Sequence, residues 1–167
     1  MKKESVGHRT IITLRKYRED IKPFRGREDE FHRLFKPYEV IKREVNVLLN
    51  TGIAELWDLF TGASANHFNN ASSTIGVGDD NTGEGAGQTD LLAGVNKQYN
   101  GMEATFPSRS NQTLSFKSSF ADAEANFDWE EWVVKQSTSS ICLNRKAESL
   151  GTKVSGTWTL EVAITLS

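Results

Sequence analysis

The sequence predicts a mainly β protein, with an antiparallel β-sandwich or barrel-like body, one amphipathic α-helix and an extended N-terminal hairpin or arm. Three observations support this fold class. Short runs with apolar residues at every second position recur in the second half of the chain, separated by glycine and serine turns. Only one stretch has the apolar spacing of a helix. The length of 167 residues, of which 37% are hydrophobic, suits one domain.

Two strands are predicted near the N-terminus, with a long charged segment between them. The β-branched run of residues 9–17 predicts the first strand, and residues 38–45 predict the second, with Ile41 and Val45 on one face. Residues 18–37 are dense in charge and are interrupted by proline and glycine, which predicts an extended loop. A loop of this length inside a compact domain is usually functional or disordered.

The N-terminal region is basic and the rest of the chain is acidic. Up to residue 44 the chain has 13 Lys and Arg against 8 Asp and Glu, and the remainder has 7 against 14. We therefore expect residues 1–37 to form a basic arm and residues 38–167 to form the body. A basic segment on an acidic body favours association with an acidic surface, and the phenylalanines of the 18–37 segment argue against disorder. The residues expected to bind a partner are Arg15, Lys16, Arg18, Phe24, Arg25, Arg27, Phe31, Arg33 and Phe35.

Two other interpretations of the basic segment stay open. Nucleic acid is also an acidic surface, but acidic residues at 19–20 and 28–30 interrupt the basic run where phosphates would approach. We therefore do not expect nucleic acid as a partner. The second interpretation is a solvated, charged loop that binds nothing.

One amphipathic helix is predicted at about residues 46–60. Its apolar residues share one helical face, which we expect to lie in the core: Leu49, Ile53, Leu56, Trp57 and Phe60. Asn46 is a candidate N-cap, and Gly62 is a candidate C-terminal stop. Because Gly52 weakens a helix interior by about 1 kcal/mol, a helix that begins at Thr51 is the alternative.

The rest of the chain predicts strands. Residues 73–77 form a short candidate, and residues 114–120 show apolar side chains at alternate positions. In residues 127–134 the alternation changes phase at the pair Glu130 and Glu131, which predicts a β-bulge. The strictest alternation is in residues 158–166, so the chain is expected to end inside its own sheet.

No candidate catalytic, cofactor or metal site emerges from the motifs. The glycine-rich stretch at 76–90 does not contain the GxxxxGK[ST] motif of a phosphate-binding loop, and its acidic side chains would repel phosphate. The spacing of its acidic residues does not match that of a calcium-binding loop either. Glu130 and Glu131 are adjacent on a predicted strand and should point to opposite faces. The three histidines are scattered, and Cys142 is expected to be a small buried side chain. We therefore expect a non-enzymatic protein without a cofactor or metal.

The sequence does not predict a membrane or export signal. No apolar run approaches the ~18 residues that span a bilayer. The basic N-terminus is not followed by the apolar region of a secretory signal. We therefore expect a protein that is used without Sec export.

Five segments together resemble a family of small virion structural proteins of tailed bacteriophages. They are NVLLNTGIAELWDLFTG, STIGVGDDNT with a following QTDLL, FADAEANFDWEEWVV, LNRK and GTKVSGTWTLEVAITLS. The resemblance covers about residues 38–167 and does not extend to the leading region. It implies a structural component of the virion, and it transfers no catalytic residue to this chain.

Together, the resemblance and the charge pattern favour a capsid decoration or cement protein that bridges capsomers. The expected partners are the major capsid protein and further copies of this chain, as a homo-oligomer for which analogy suggests a trimer. The expected location is the virion, assembled in the bacterial host cytoplasm. One alternative is a tail, adaptor or fibre-attachment protein. The other is a carbohydrate-binding module, which would need exposed Trp129 and Trp132.

Overall fold

The computed structural model describes residues 7–45 and 48–167. In this part of the chain there are nine β-strands, two α-helices and one 3-10 turn. The strands are β1 (His8–Tyr17), β2 (Glu39–Val45), β3 (Ser73–Gly78), β4 (Lys97–Gly101), β5 (Ser108–Ser110), β6 (Thr113–Phe120), β7 (Asp128–Gln136), β8 (Ile141–Thr152) and β9 (Thr157–Leu166). The helices are α1 (Glu28–Leu34) and α2 (Asn50–Thr61), and the 3-10 turn is Lys22–Phe24.

The strands form two antiparallel sheets that pack as a sandwich, which confirms the predicted fold class. One sheet has the order β2-β1-β9-β6-β5 and the other has the order β4-β3-β7-β8. β9 is the central strand of the larger sheet, and its apolar residues from Trp158 to Ile164 are buried in the main core, as the strict alternation predicts. Leu166, the last residue of this series, is partly exposed.

The N-terminal hairpin is present, but its strands belong to the body. β1 pairs with β2 on one side and with β9 on the other, where ten residue pairs run from His8 opposite Leu166 to Tyr17 opposite Thr157. The sheet therefore shows no boundary at residue 37 between an arm and a body. The connection between β1 and β2 also differs from the predicted extended loop, because it contains the 3-10 turn and α1.

Aromatic side chains form the centre of the main core. The ring of Trp129 lies 4.8 Å from that of Phe120 and 5.0 Å from that of Trp158, both in edge-to-face arrangements. Each such pair contributes about 0.5–1.5 kcal/mol beyond the burial of its area. The predicted bulge in β7 is confirmed by a register shift between Trp129 and Glu131, and it allows Trp129 and Trp132 to reach the same core although they are three residues apart.

The second helix, α2, begins at Asn50, close to the alternative start at Thr51. Its last residue is Thr61, and Gly62 caps it: the φ of Gly62 is 74°, in the left-handed region, and its N–H donates to the carbonyl of Leu59. The predicted stop at Gly62 is therefore confirmed. The candidate N-cap, Asn46, lies outside the described residues.

Candidate partner-binding surfaces

The 18–37 segment folds back onto the body and forms a small second core with it. The buried members are Tyr17, Ile21, Phe31 and Ala121, and the half-buried Phe24 and Phe35 pack against them. The Phe31 ring is fully buried, 5.0 Å from the ring of Tyr17 and 5.1 Å from the ring of Phe35. The phenylalanines therefore hold this segment to its own body, because their apolar area is already removed from water.

Two of the residues predicted to bind a partner are unavailable for that role. Phe31 is fully buried, and Lys16 is buried with its Nζ 4.2 Å from the centre of the Trp158 ring and 2.9 Å from Glu39. Their burial argues against this role, because a partner could contact either side chain only if the chain opened. Arg15 is half-buried and forms an ion pair with Glu161 at 2.8 Å.

The four remaining predicted arginines are exposed, and they differ in their contacts. Arg25 pairs with Glu124 and Arg27 pairs with Glu30, each at 2.8 Å. Arg18 lies over the Tyr38 ring, 5.0 Å from its centre. Among the described residues, four exposed cations of this segment have no ion pair, and they are Arg18, Lys22, Arg33 and Lys36. The segment therefore presents unpaired cations to solvent, alongside the acidic side chains of Glu19, Asp20 and Asp29, which also form no ion pair among the described residues.

A buried carboxylate beneath α1 fixes the position of the segment. His32 Nε2 donates to Glu103 Oε1 at 2.9 Å, and Lys117 Nζ lies 3.0 Å from Glu103 Oε2. Ser119 donates to the same carboxylate, and Tyr17 Oη lies 3.0 Å from His32 Nδ1. Burial raises the pKa of Glu103, but the hydrogen bond from His32 and the charge of Lys117 outweigh it and hold that pKa below its usual value.

A second acidic residue anchors the start of α1. Glu28 is buried, and its carboxylate accepts hydrogen bonds from the backbone N–H of Gly26 at 2.8 Å and of Ala104 at 3.2 Å. One of the acidic residues that interrupt the basic run is therefore an internal anchor. The sequence offers no signal for this role, because it depends on the distant loop at Ala104.

The glycine-rich stretch is tied to the body by a buried ion pair. Glu131 and Arg145 are fully buried, and Arg145 Nη2 lies 2.6 Å from Glu131 Oε2. The Glu131 carboxylate accepts from the backbone N–H groups of Leu92 and Ala93, and Arg145 donates to Gln88 at 2.8 Å. Both charges are therefore used inside the protein, where they hold residues 79–93 in place.

Other candidate chemistry is limited in the described part of the chain. No group of three or more His, Cys, Asp or Glu side chains is placed there to hold a metal ion. Cys142 is buried, as predicted, and burial raises the pKa of its thiol to about 12. The thiol is therefore protonated at neutral pH and is a poor nucleophile.

The apolar residues of α2 were predicted to lie in the core, and most of them are exposed instead. Of the five residues expected in the core, only Leu49 is buried, whereas Trp57 is 65% and Phe60 is 83% exposed. Ile53 and Leu56 are also exposed. We call Ile53, Leu56, Trp57, Phe60 and the neighbouring Leu166 the α2 face.

The opposite side of α2 explains this orientation. A Cβ atom on Gly52 would lie 2.5 Å from the carbonyl oxygen of Leu143, so the helix backbone lies directly against β8. Thr51 Oγ1 donates to the carbonyl of Cys142 at 3.1 Å, which fixes the same side. The glycine allows the close approach, and the large apolar residues are consequently turned away from the body.

A groove of about 550 Å³ lies beside the α2 face, where the helix passes the ends of β1 and β9. Its lining includes Leu48, Ile53, Leu56, Trp57, Phe60 and Leu166. Periodicity identified the helix residues of this lining in the sequence, but it could not show that they are exposed.

The tryptophans proposed for carbohydrate binding are not on the surface. Trp129 and Trp132 are both fully buried, and their indole N–H groups donate to Ala125 O at 3.0 Å and to Glu148 Oε1 at 2.7 Å. The exposed aromatic surface on which that alternative depended is therefore absent at these two positions.

No family model matches this chain, and no curated protein or solved structure matches it. Within residues 7–45 and 48–167, neither helix has the length and apolar character needed to cross a bilayer. The functional proposal is therefore argued from the surfaces described above.

Proposed function

We propose that this protein is a non-enzymatic structural component of a tailed-bacteriophage virion, with capsid decoration as the favoured role. The resemblance of residues 38–167 to small virion proteins supports the class of protein. The two-sheet body with a buried aromatic core supports a rigid platform on which binding surfaces are held. The mechanism is added interface area, by which the chain stabilises a shell.

The observation that carries the proposal is the set of exposed, unpaired cations on the 18–37 segment, which we call the cationic surface: Arg18, Lys22, Arg33 and Lys36. Phe31 and the contacts of Glu103 hold this segment in one conformation, so little entropy is lost when it binds. Arg18 and Arg33 are exposed and free of ion pairs within the described residues, and Leu34, which follows Arg33 in the chain, adds an exposed apolar side chain. Such a surface is complementary to an acidic, partly apolar partner.

The proposed partners are the major capsid protein and further copies of this chain. A shell repeats the acidic surface many times, and contacts of modest strength then gain avidity when neighbouring copies bind together. This arrangement does not need a flexible arm. It differs from the extended segment expected from the sequence, because the binding surface is already folded.

A tail, adaptor or fibre-attachment protein is the second candidate, since it would use the same cationic surface. The two roles differ in copy number, because decoration places many copies over the shell and a tail component forms one ring. Mass spectrometry of purified particles measures that number. Absence of the chain from purified particles would contradict both roles.

Charge reversal tests the cationic surface directly. We expect Arg18→Glu, Arg33→Glu and Lys36→Glu in one chain to reduce occupancy on particles at least about tenfold, because three attractive contacts become repulsive. Occupancy is measured by adding purified protein to particles that lack it. The melting temperature should fall by only about 2–4 °C, because the change removes no ion pair and only the contact of Arg18 with the Tyr38 ring, worth about 0.5–1 kcal/mol.

The control reverses two exposed cations outside the segment, Lys97→Glu and Arg109→Glu. We expect this variant to bind particles as the wild type does. Equal occupancy of the triple variant and the control would count against the cationic surface as the binding site.

A further inference from the structure

We infer that two copies of this chain associate through the α2 face, about a two-fold axis. The inference deepens the proposed function and rests on it in one respect, because that function includes copies of this chain among the partners. The surface through which the copies would bind each other is the α2 face, formed by Ile53, Leu56, Trp57, Phe60 and Leu166.

The first argument is the area that this surface leaves in water. Two mostly exposed aromatic side chains and three partly exposed aliphatic ones present on the order of 500 Å² of apolar surface, if an aromatic side chain buries about 150–250 Å². This is near the top of the range of about 300–600 Å² for the largest apolar patch on a monomer. Pairing about a two-fold axis would bury the patch on both copies, on the order of 1,000 Å². This lies just below the roughly 1,200 Å² at which standard interfaces begin, so we expect a weak pair that forms as concentration is raised.

The second argument is shape. Trp57 and Phe60 project from α2 and form part of the wall of the groove of about 550 Å³. Pockets of about 300–1,000 Å³ accommodate drug-sized molecules, so the groove has room for an aromatic side chain. In a two-fold pair, the projecting residues of each copy can enter the groove of the other copy, because an isologous interface brings both features of one patch together.

The third argument is charge. Asp58 is the only exposed charged residue of α2, since Glu55 is buried. A partner recognised through charge would find little to pair with on this helix. A second copy of the same nearly neutral face brings little repulsion, so the face suits a copy of itself better than a strongly charged partner.

Symmetry also decides between two copies and three. A single self-complementary patch closes in a pair, whereas a trimer needs two different surfaces that meet head to tail. The α2 face and its groove form one continuous patch. We therefore expect a dimer here, in place of the trimer suggested by analogy.

The test measures the mass of the protein in solution as its concentration is raised. We expect sedimentation equilibrium of the wild-type chain to move from 18.6 kDa to twice that mass. Replacing both aromatics, Trp57→Ser with Phe60→Ser, should weaken pairing on the order of 100-fold or more, as expected for aromatic anchors at the centre of an interface. The control is Val95→Ser with Val154→Ser, which removes two highly exposed apolar side chains outside the face and should leave pairing unchanged.

Fluorescence gives an independent readout on the wild-type chain. Trp57 is the only exposed tryptophan, because Trp129, Trp132 and Trp158 are buried. We expect its emission to shift to shorter wavelength and its quenching by acrylamide to fall as concentration rises. A thermal melt shows whether the double serine variant is folded, and it should be, since both side chains point into solvent.

Three results would overturn the inference. They are a wild-type chain that stays at the mass of one copy, a three-copy mass, and a folded double serine variant that pairs as tightly as the wild type. Pairing is measured without particles, so its failure is separate from a failure of particle binding. The charge-reversed variant should still pair, which distinguishes the two surfaces.

Discussion

Glu103 and Phe31 illustrate how single residues determine the position of a whole segment. Glu103 is almost fully buried and is contacted by groups from α1 and β6, whereas Phe31 fills the small core between α1 and the end of β1. Neither role is visible in the local sequence. Each depends on partners that are distant in the chain and meet only after the sheets have formed.

The lowered pKa of Glu103 predicts a loss of stability in acid. A carboxylate whose pKa is lower in the folded than in the unfolded state contributes stability above its unfolded pKa, and this contribution disappears as the pH falls through the folded pKa. We therefore expect the free energy of unfolding to begin to decrease below about pH 5. The decrease continues as the pH passes the pKa of about 4.3 that a glutamate has in the unfolded chain. Glu103→Gln should remove this part of the pH dependence.

The same substitution should reduce stability at neutral pH on the order of 1–3 kcal/mol, because it leaves Lys117 and His32 without a charged acceptor. Urea unfolding across pH measures both effects. The matched control is Glu130→Gln, a carboxylate nearer the surface on β7. The prediction fails when Glu103→Gln and the wild type lose stability along parallel curves in acid.

At the scale of elements, α2 shows the limit of a periodic pattern. The spacing of its apolar residues predicted the helix, and Gly62 marked its end. The pattern could not show which face is buried, because amphipathic spacing reports only which side chains share a face. The close contact between Gly52 and Leu143 decides the orientation, and this contact belongs to the tertiary structure.

Gly52→Ala tests this account of the helix. Intrinsic propensity alone predicts a gain of about 1 kcal/mol in stability. We expect the opposite, a loss of about 1–3 kcal/mol, because the added methyl group would overlap the backbone of Leu143 and push α2 away from β8.

Thermal or urea unfolding measures the change, and Ala54→Gly is the control at an exposed position of the same helix. That variant should lose about 1 kcal/mol through propensity alone. A stabilised Gly52→Ala chain would show that the helix can move without penalty, and it would remove the proposed reason for the outward α2 face.

At the scale of the whole molecule, the 18–37 segment is a part of the fold. Tyr38 N–H donates to the carbonyl of Lys16 at 2.8 Å, so the ends of β1 and β2 already meet as a hairpin. An Asn-Gly turn could close them in place of residues 18–37, because this pair favours the tight turn of a two-residue hairpin. The shortened chain should keep both sheets.

We expect that replacement to lower the free energy of unfolding by roughly 3–6 kcal/mol, since it removes the fully buried Ile21 and Phe31 at about 1.5–3 kcal/mol each. Urea unfolding measures the loss. Phe31→Ala in the full-length chain is the comparison, and it should cost about 3–5 kcal/mol by leaving a cavity. An unchanged stability of the shortened chain would mean that the segment is only loosely attached.

Local patterns in the sequence were enough to determine the β class, the strict alternation of β9, the bulge in β7 and the end of α2. They succeeded because each of these features is imposed by neighbouring residues through backbone geometry and side-chain period. Only the tertiary structure decided that Phe31 and Lys16 are buried, that Glu131 and Arg145 pair, and that the α2 face is exposed. Burial depends on which distant surface covers a side chain, and a linear pattern does not contain that information.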